Sequence, residues 1–154
     1  MRYLVPLDGS ALAEQALPSA KERAVALNDD ILLVRVVNVA AGLAVAPISD
    51  TVMGSISAAG IEALQQGAEE ETRASTEYLE KKAQELRLEG LNVTTEIRTG
   101  TPASEIIASA MNNRADMIII TTHGRSGLGR LVFGSVSGEV IRGGNFPVLV
   151  INSK

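Results

Sequence analysis

The chain has 154 residues, 45% hydrophobic and 21% charged, which fits one domain with a real core and excludes a disordered or collagen-like chain. With no Cys and a single His, disulfide frameworks, cysteine zinc sites, iron–sulfur clusters, thiol nucleophiles and His-pair metal sites drop out together. A formal net charge of −4 speaks against a general nucleic-acid surface, because binding phosphate backbones needs a clustered positive field.

The segment Met1–Asp8 is too short and too soon charged for a secretory signal. Within it, Tyr3–Leu7 reads as a buried strand closed by the turn Asp8-Gly9-Ser10, with Pro6 a mild objection because proline lacks a ladder donor. A helical stripe follows: Ala13, Ala16, Leu17, Ala20, Ala24 and Leu27, with Ser10 as its expected N-cap and Pro18 as an expected kink. Ile31–Val37 is almost continuously apolar, as strands covered on both faces are. The most apolar stretch, Ile31–Ile48, is interrupted by Arg35 and Asn38, so no membrane span is expected and a cytoplasmic protein is.

Val39–Gly67, rich in Ala, Gly and Ser, reads as a long connection that serves as a cover or partner surface. Glu69–Glu89 is charged and helical, with Ser75, Leu79, Ala83 and Leu86 on one face and Gly90 as C-cap. Leu91–Ile97 alternates and reads as a strand nearer an edge. Thr101 and Pro102 open a helix whose buried face is expected from Ile106, Ile107, Ala110 and Met111. Asp116–Ile120 reads as a central strand, Thr121–Ser135 as a glycine-rich loop, Val136–Arg142 as a short helix and Pro147–Ile151 as the last strand. Strands alternating with helices predict an α/β fold: an open five-stranded parallel sheet with helices on both faces, in one domain over residues 1–154.

In such sheets, ligands sit outside the carboxyl ends of the strands at a topological switch point. Three features fall at strand ends: Asp8, Val36 to Asn38, and the loop from Thr121. That loop is glycine-rich, carries Arg125 and Arg130, and runs through Gly134-Ser135 into a helix whose free N–H groups suit an anion. It has neither the Walker A Gly-Lys-Ser/Thr nor the Rossmann glycine spacing, so the residues alone leave a phosphate site and a plain connection both open.

Four stretches together carry a family resemblance. They are Val5-Pro6-Leu7-Asp8-Gly9-Ser10, Thr122-His123-Gly124-Arg125-Ser126-Gly127-Leu128, Leu131-Val132-Phe133-Gly134-Ser135-Val136-Ser137 and Asn145-Phe146-Pro147-Val148-Leu149-Val150. Over almost its whole length, the chain resembles the universal stress protein family. The resemblance implies a Rossmann-like, HUP-type sheet of order 3-2-1-4-5 and a homodimer through the last strand, Pro147–Ile151. The family's ATP-binding branch carries G-x2-G-x9-G-(S/T). Gly124, Gly134 and Ser135 match it, but Thr121 stands where the first glycine is expected.

By resemblance, Pro6, Leu7 and Asp8 flank the nucleotide, with Asp8 toward the ribose or the metal-bound phosphates. Val36 meets the adenine edge through its backbone, and Gly124, Arg125, Gly127, Gly134, Ser135 and Val136 surround the phosphates. The implied cofactor is ATP, or AMP or ADP in its place, with Mg2+ or Mn2+ carried by the phosphates. No catalytic residue is assigned, since His123 reads as a loop-structuring residue and no nucleophile elbow is present. The expected function is a stress-response or regulatory nucleotide binder with little or no hydrolysis. The alternatives are a dimeric interaction module without ATP, and a slow ATPase or phosphotransferase.

Overall fold

The computed structural model describes residues 1–37, 58–122 and 134–153. Its elements follow in the order β1 (Arg2–Pro6), α1 (Ala11–Glu14), α2 (Ala16–Leu27), β2 (Asp30–Val37), α3 (Ala58–Leu88), β3 (Val93–Thr99), α4 (Pro102–Asn112), β4 (Met117–Thr122), α5 (Ser135–Gly143) and β5 (Val148–Asn152). The five strands form one sheet of order β3-β2-β1-β4-β5. All neighbours are parallel, with Val5 opposite Leu33, Leu33 opposite Thr95, Leu4 opposite Ile118 and Ile118 opposite Val148. This is the α/β architecture expected from the alternation of elements, with the strand order that the family resemblance implies.

Alternation along the strands sends side chains to two cores. Tyr3, Val5, Leu7, Ile31, Leu33 and Ile119 face α2 and α3, while Leu4, Leu32, Val34, Ile118 and Ile120 face α4 and α5. On α2, the residues that touch the sheet are Ala16, Ala20 and Ala24, one turn apart, so the helix backbone can lie close to the strands. Leu27 falls off this stripe and is 61% exposed, contrary to its expected place in the buried face.

Pro18 does not kink a long helix. The helix is divided at Gln15, which leaves Pro18 in the first turn of α2, where a missing N–H removes no intrahelical bond. Ser10 caps α1 as expected, its Oγ accepting from the Ala13 N–H at 3.1 Å.

The long connection is shorter than the sequence suggests. Residues 38–57 lie outside the described residues, but α3 already begins at Ala58 and runs for 31 residues, so Ala58–Gly67 is helix. Ala, Leu, Glu and Gln there favour helix enough to absorb Gly60 and Gly67. The first half of α3 has no buried residue; the buried ones are Ser75, Leu79, Ala83 and Leu86, the face read from the sequence. Gly90, at φ +87, ends the helix, with its N–H donating to the Arg87 carbonyl.

On α4 the buried residues are Ala103, Ile106, Ser109 and Ala110. Met111, expected in that face, is 65% exposed because it stands about 100° around the helix from Ala110. β4 continues two residues further than predicted, through Thr121 and Thr122, so the glycine-rich loop starts later.

Candidate functional site

β1 lies between β2 and β4, and the chain leaves β1 for α1 on one face but leaves β4 toward α5 on the other. A cleft of about 320 Å3 opens at the carboxyl ends of these strands, at the switch point where α/β sheets take ligands. Its volume is that of a small-molecule site.

The structure brings eight of the sequence-predicted residues to this cleft: Pro6, Leu7, Asp8, Val36, Thr121, Gly134, Ser135 and Val136. Gly124, Arg125 and Gly127, with His123 and Arg130, lie outside the described residues. Sequence reasoning missed Ser10, Leu12, Ala13, Val34, Pro102, Ile106, Ile120, Thr122 and Ser137. A signal for some of them was present. Val34 shares a strand face with Val36 by the period of two, and Pro102 and Ile106 open the helix that follows β3.

The walls divide by chemistry. Pro6, Val34, Val36, Pro102, Ile106 and Ile120 form an apolar side suited to a flat ring system. The polar residues that line the same cleft are Asp8, Ser10, Thr121, Ser135 and Ser137. The N-terminus of α5 opens into the cleft, and no side chain caps it; Gly134 holds the cap position at φ −58 and ψ 162. The Ser137 hydroxyl donates to the Gly134 carbonyl at 3.2 Å instead of blocking the leading N–H groups. Those N–H groups, at the positive end of the helix dipole, are the natural donors for a phosphate.

Asp8 is exposed, and its Oδ1 accepts from the Ser10 N–H at 2.8 Å, closing an Asx turn through Gly9 at φ +88. Only a glycine adopts that φ without strain. The Asx turn and a place in the cleft are therefore not alternatives for Asp8: the turn is what presents its carboxylate there.

Thr121 is the departure from the family motif, and its geometry is benign. It is an ordinary β4 residue paired opposite Ile151, and it is not among the positive-φ residues. Its Oγ1 donates a long hydrogen bond to the Ala13 carbonyl at 3.4 Å, which ties β4 to α1. The position therefore needs no glycine for its backbone conformation.

The chain matches the universal stress protein family over residues 1–152. It belongs to that family. Universal stress protein MJ0531 of Methanocaldococcus jannaschii is 29% identical over 150 residues, covering 97% of this chain and 81% of the relative. The solved structure of MJ0577, a universal stress protein of the same organism, superposes with a TM-score of 0.75 at 27% identity, covering 99% of this chain and 96% of its own. A universal stress protein from Archaeoglobus fulgidus in complex with dAMP superposes with a TM-score of 0.63 at 22% identity, covering 98% and 97%. Among the described residues of this universal stress protein, no three His, Cys, Asp or Glu side chains gather as a metal site, and no helix is long and apolar enough to cross a membrane.

Behind the cleft, Glu14 accepts from Lys82 Nζ at 2.9 Å and from the Tyr78 hydroxyl at 2.8 Å, joining α1 to α3. The Lys82 contact, helped by Tyr78, holds the Glu14 carboxyl below its ordinary value despite partial burial. Burial pushes Glu96 up, but hydrogen bonds from Ser109, Arg98 and Asn113 outweigh it and leave its carboxyl lowered too. A carboxylate with a lowered folded-state pKa adds stability that is present above its unfolded pKa and lost as pH falls through the folded one. Chemical denaturation should therefore show stability declining below about pH 4.3, and Glu14→Gln should flatten that decline. An unchanged slope in Glu14→Gln would remove Glu14 from the account.

Proposed function

We propose that this universal stress protein binds an adenine nucleotide, ATP with Mg2+ or Mn2+ carried on its phosphates, and acts as a regulator rather than a catalyst. The observation that carries this reading is the uncapped N-terminus of α5 sharing one cleft with a set of apolar side chains. Val34, Val36, Pro102 and Ile106 would take the base, and the backbone of Val36 its edge. Ser135 and Val136 would hold phosphate through their N–H groups, and Asp8 would face the ribose or the metal-bearing phosphates. Gly124, Arg125 and Gly127 would complete the phosphate side by analogy with the family motif. The dAMP complex of the Archaeoglobus relative supports a nucleotide in this fold.

Little hydrolysis is expected, because no described residue of the cleft pairs a general base with a nucleophile. Calorimetric titration of nucleotide-free protein with ATP and Mg2+ should give saturable binding in the micromolar range or tighter, with phosphate release near background. Turnover that disappears in Asp8→Ala would instead make it an ATPase or phosphotransferase. No binding by the native chain together with binding by Thr121→Gly would make it an interaction module that has lost its nucleotide.

The protein is also proposed to be a homodimer through β5. That strand is an edge of the sheet, and Val148, Leu149, Val150 and Ile151 are only half-buried on it. Light scattering at micromolar concentration should give twice the chain mass; a monomer mass rules the dimer out.

A further inference from the structure

We infer that Arg35 is a positioning residue for the nucleotide cleft, holding the β1–α1 turn from behind, with Tyr78 of α3 holding Arg35. The inference rests on the nucleotide reading of the same cleft, but it starts from contacts outside it.

Arg35 lies on β2, on the sheet face of Ile31 and Leu33, and does not line the cleft. Its guanidinium lies over the Tyr78 ring, 5.2 Å from the ring centre. Among the described residues it has no carboxylate partner, unlike Arg2, Arg73, Arg87 and Arg98. A planar cation left without an anion, yet stacked on a ring, is fixed by shape and quadrupole rather than by charge pairing. The guanidinium also lies against Gly9: a Cβ built there would stand 2.9 Å from Arg35 Nη1. The guanidinium therefore fills the space behind the turn that Gly9, with no side chain, leaves open.

The chain of contacts continues on the far side of the ring. The Tyr78 hydroxyl donates to Glu14 Oε1 at 2.8 Å, and Lys82 Nζ donates to Glu14 Oε2 at 2.9 Å. Glu14 ends α1, the helix that Ser10 caps. The turn is thus gripped at both ends by α3: at Gly9 through Tyr78 and Arg35, and at the end of α1 through Tyr78, Lys82 and Glu14. What the grip holds in place are Asp8 and Ser10, two of the polar groups in the cleft.

The test compares Arg35→Met, Arg35→Lys and Tyr78→Leu with the native chain. Two readouts are used: amide hydrogen exchange, and affinity for ATP with Mg2+. Arg35→Met keeps an unbranched apolar stem and loses the planar cation. Exchange at Ser10 and Ala13, whose N–H groups are bonded within the turn and its cap, should accelerate while the β3 amides keep their protection. ATP affinity should fall about tenfold, the scale of a half-buried cation–ring contact. Arg35→Lys should recover part of both losses. The double variant Arg35→Met with Tyr78→Leu should be no worse than the weaker single, as for two parts of one contact. Uniformly faster exchange across the sheet would show a purely structural role and overturn the inference. So would affinity within twofold of native in Arg35→Met. If the native chain binds no ATP, the nucleotide reading fails first, and the exchange arm still decides whether Arg35 holds the turn.

Discussion

Gly134→Asp should stabilise the protein slightly and abolish nucleotide binding. Gly134 occupies the N-cap of α5 in extended backbone, at φ −58 and ψ 162, so any residue fits and no positive φ is forfeited. Among the described residues, a Cβ there would meet Ser137 Oγ alone, at an ordinary 3.6 Å. Aspartate is a strong N-cap, and its carboxylate would accept from the leading N–H groups and favour the helix dipole, a gain of a few tenths of a kcal/mol over glycine. The same carboxylate would occupy the donors meant for phosphate and repel its charge, so ATP affinity should drop by at least about 100-fold. Thermal unfolding and calorimetry on one preparation would show the two effects with opposite signs. A variant that binds ATP normally would remove the α5 N-terminus from the site.

The second large effect is in the core. Leu33 is fully buried in the middle of β2, opposite Val5 on one side and Thr95 on the other. Leu33→Ala should cost about 2–5 kcal/mol, from lost burial plus the cavity left behind. That is a large part of the 5–15 kcal/mol typical of a domain of about this size. On the same sheet face, Ser75 is fully buried, and its hydroxyl has no hydrogen-bond partner among the described residues. Ser75→Ala removes an unsatisfied polar atom and improves helix propensity, so stability should rise by up to about 1 kcal/mol. Denaturant midpoints of the two variants should move in opposite directions. A destabilised Ser75→Ala would mean that the hydroxyl is satisfied in solution.

The strands were legible because burial on both faces leaves its mark directly in composition: Ile31–Val37 and Met117–Ile120 are almost all apolar. Positions that depend on angle rather than composition were read less well. Leu27 and Met111 are as apolar as their neighbours, and only their rotation about the helix axis puts them in solvent. The start of α3 was hidden for a related reason. Its first turns bury nothing, so no apolar stripe announces Ala58–Gly67, and the small residues there resemble a linker. At the site, Asp8, Val36 and Gly134-Ser135 could be found because each marks the end or start of an element. Arg35 could not, because its role comes from Tyr78, 43 positions away, and from a glycine that tells nothing of what packs behind it.

The most direct test of a phosphate held at the N-terminus of α5 is an amide-resolved NMR titration of nucleotide-free protein with ATP and Mg2+. Saturable shifts should appear at the Ser135, Val136 and Ser137 amides and at Val36, with none around Asn28 and Asn92 at the other end of the sheet. Adenosine should move Val36 but leave the α5 amides in place. Shifts confined to residues outside the cleft, or none at millimolar ATP, would contradict the account.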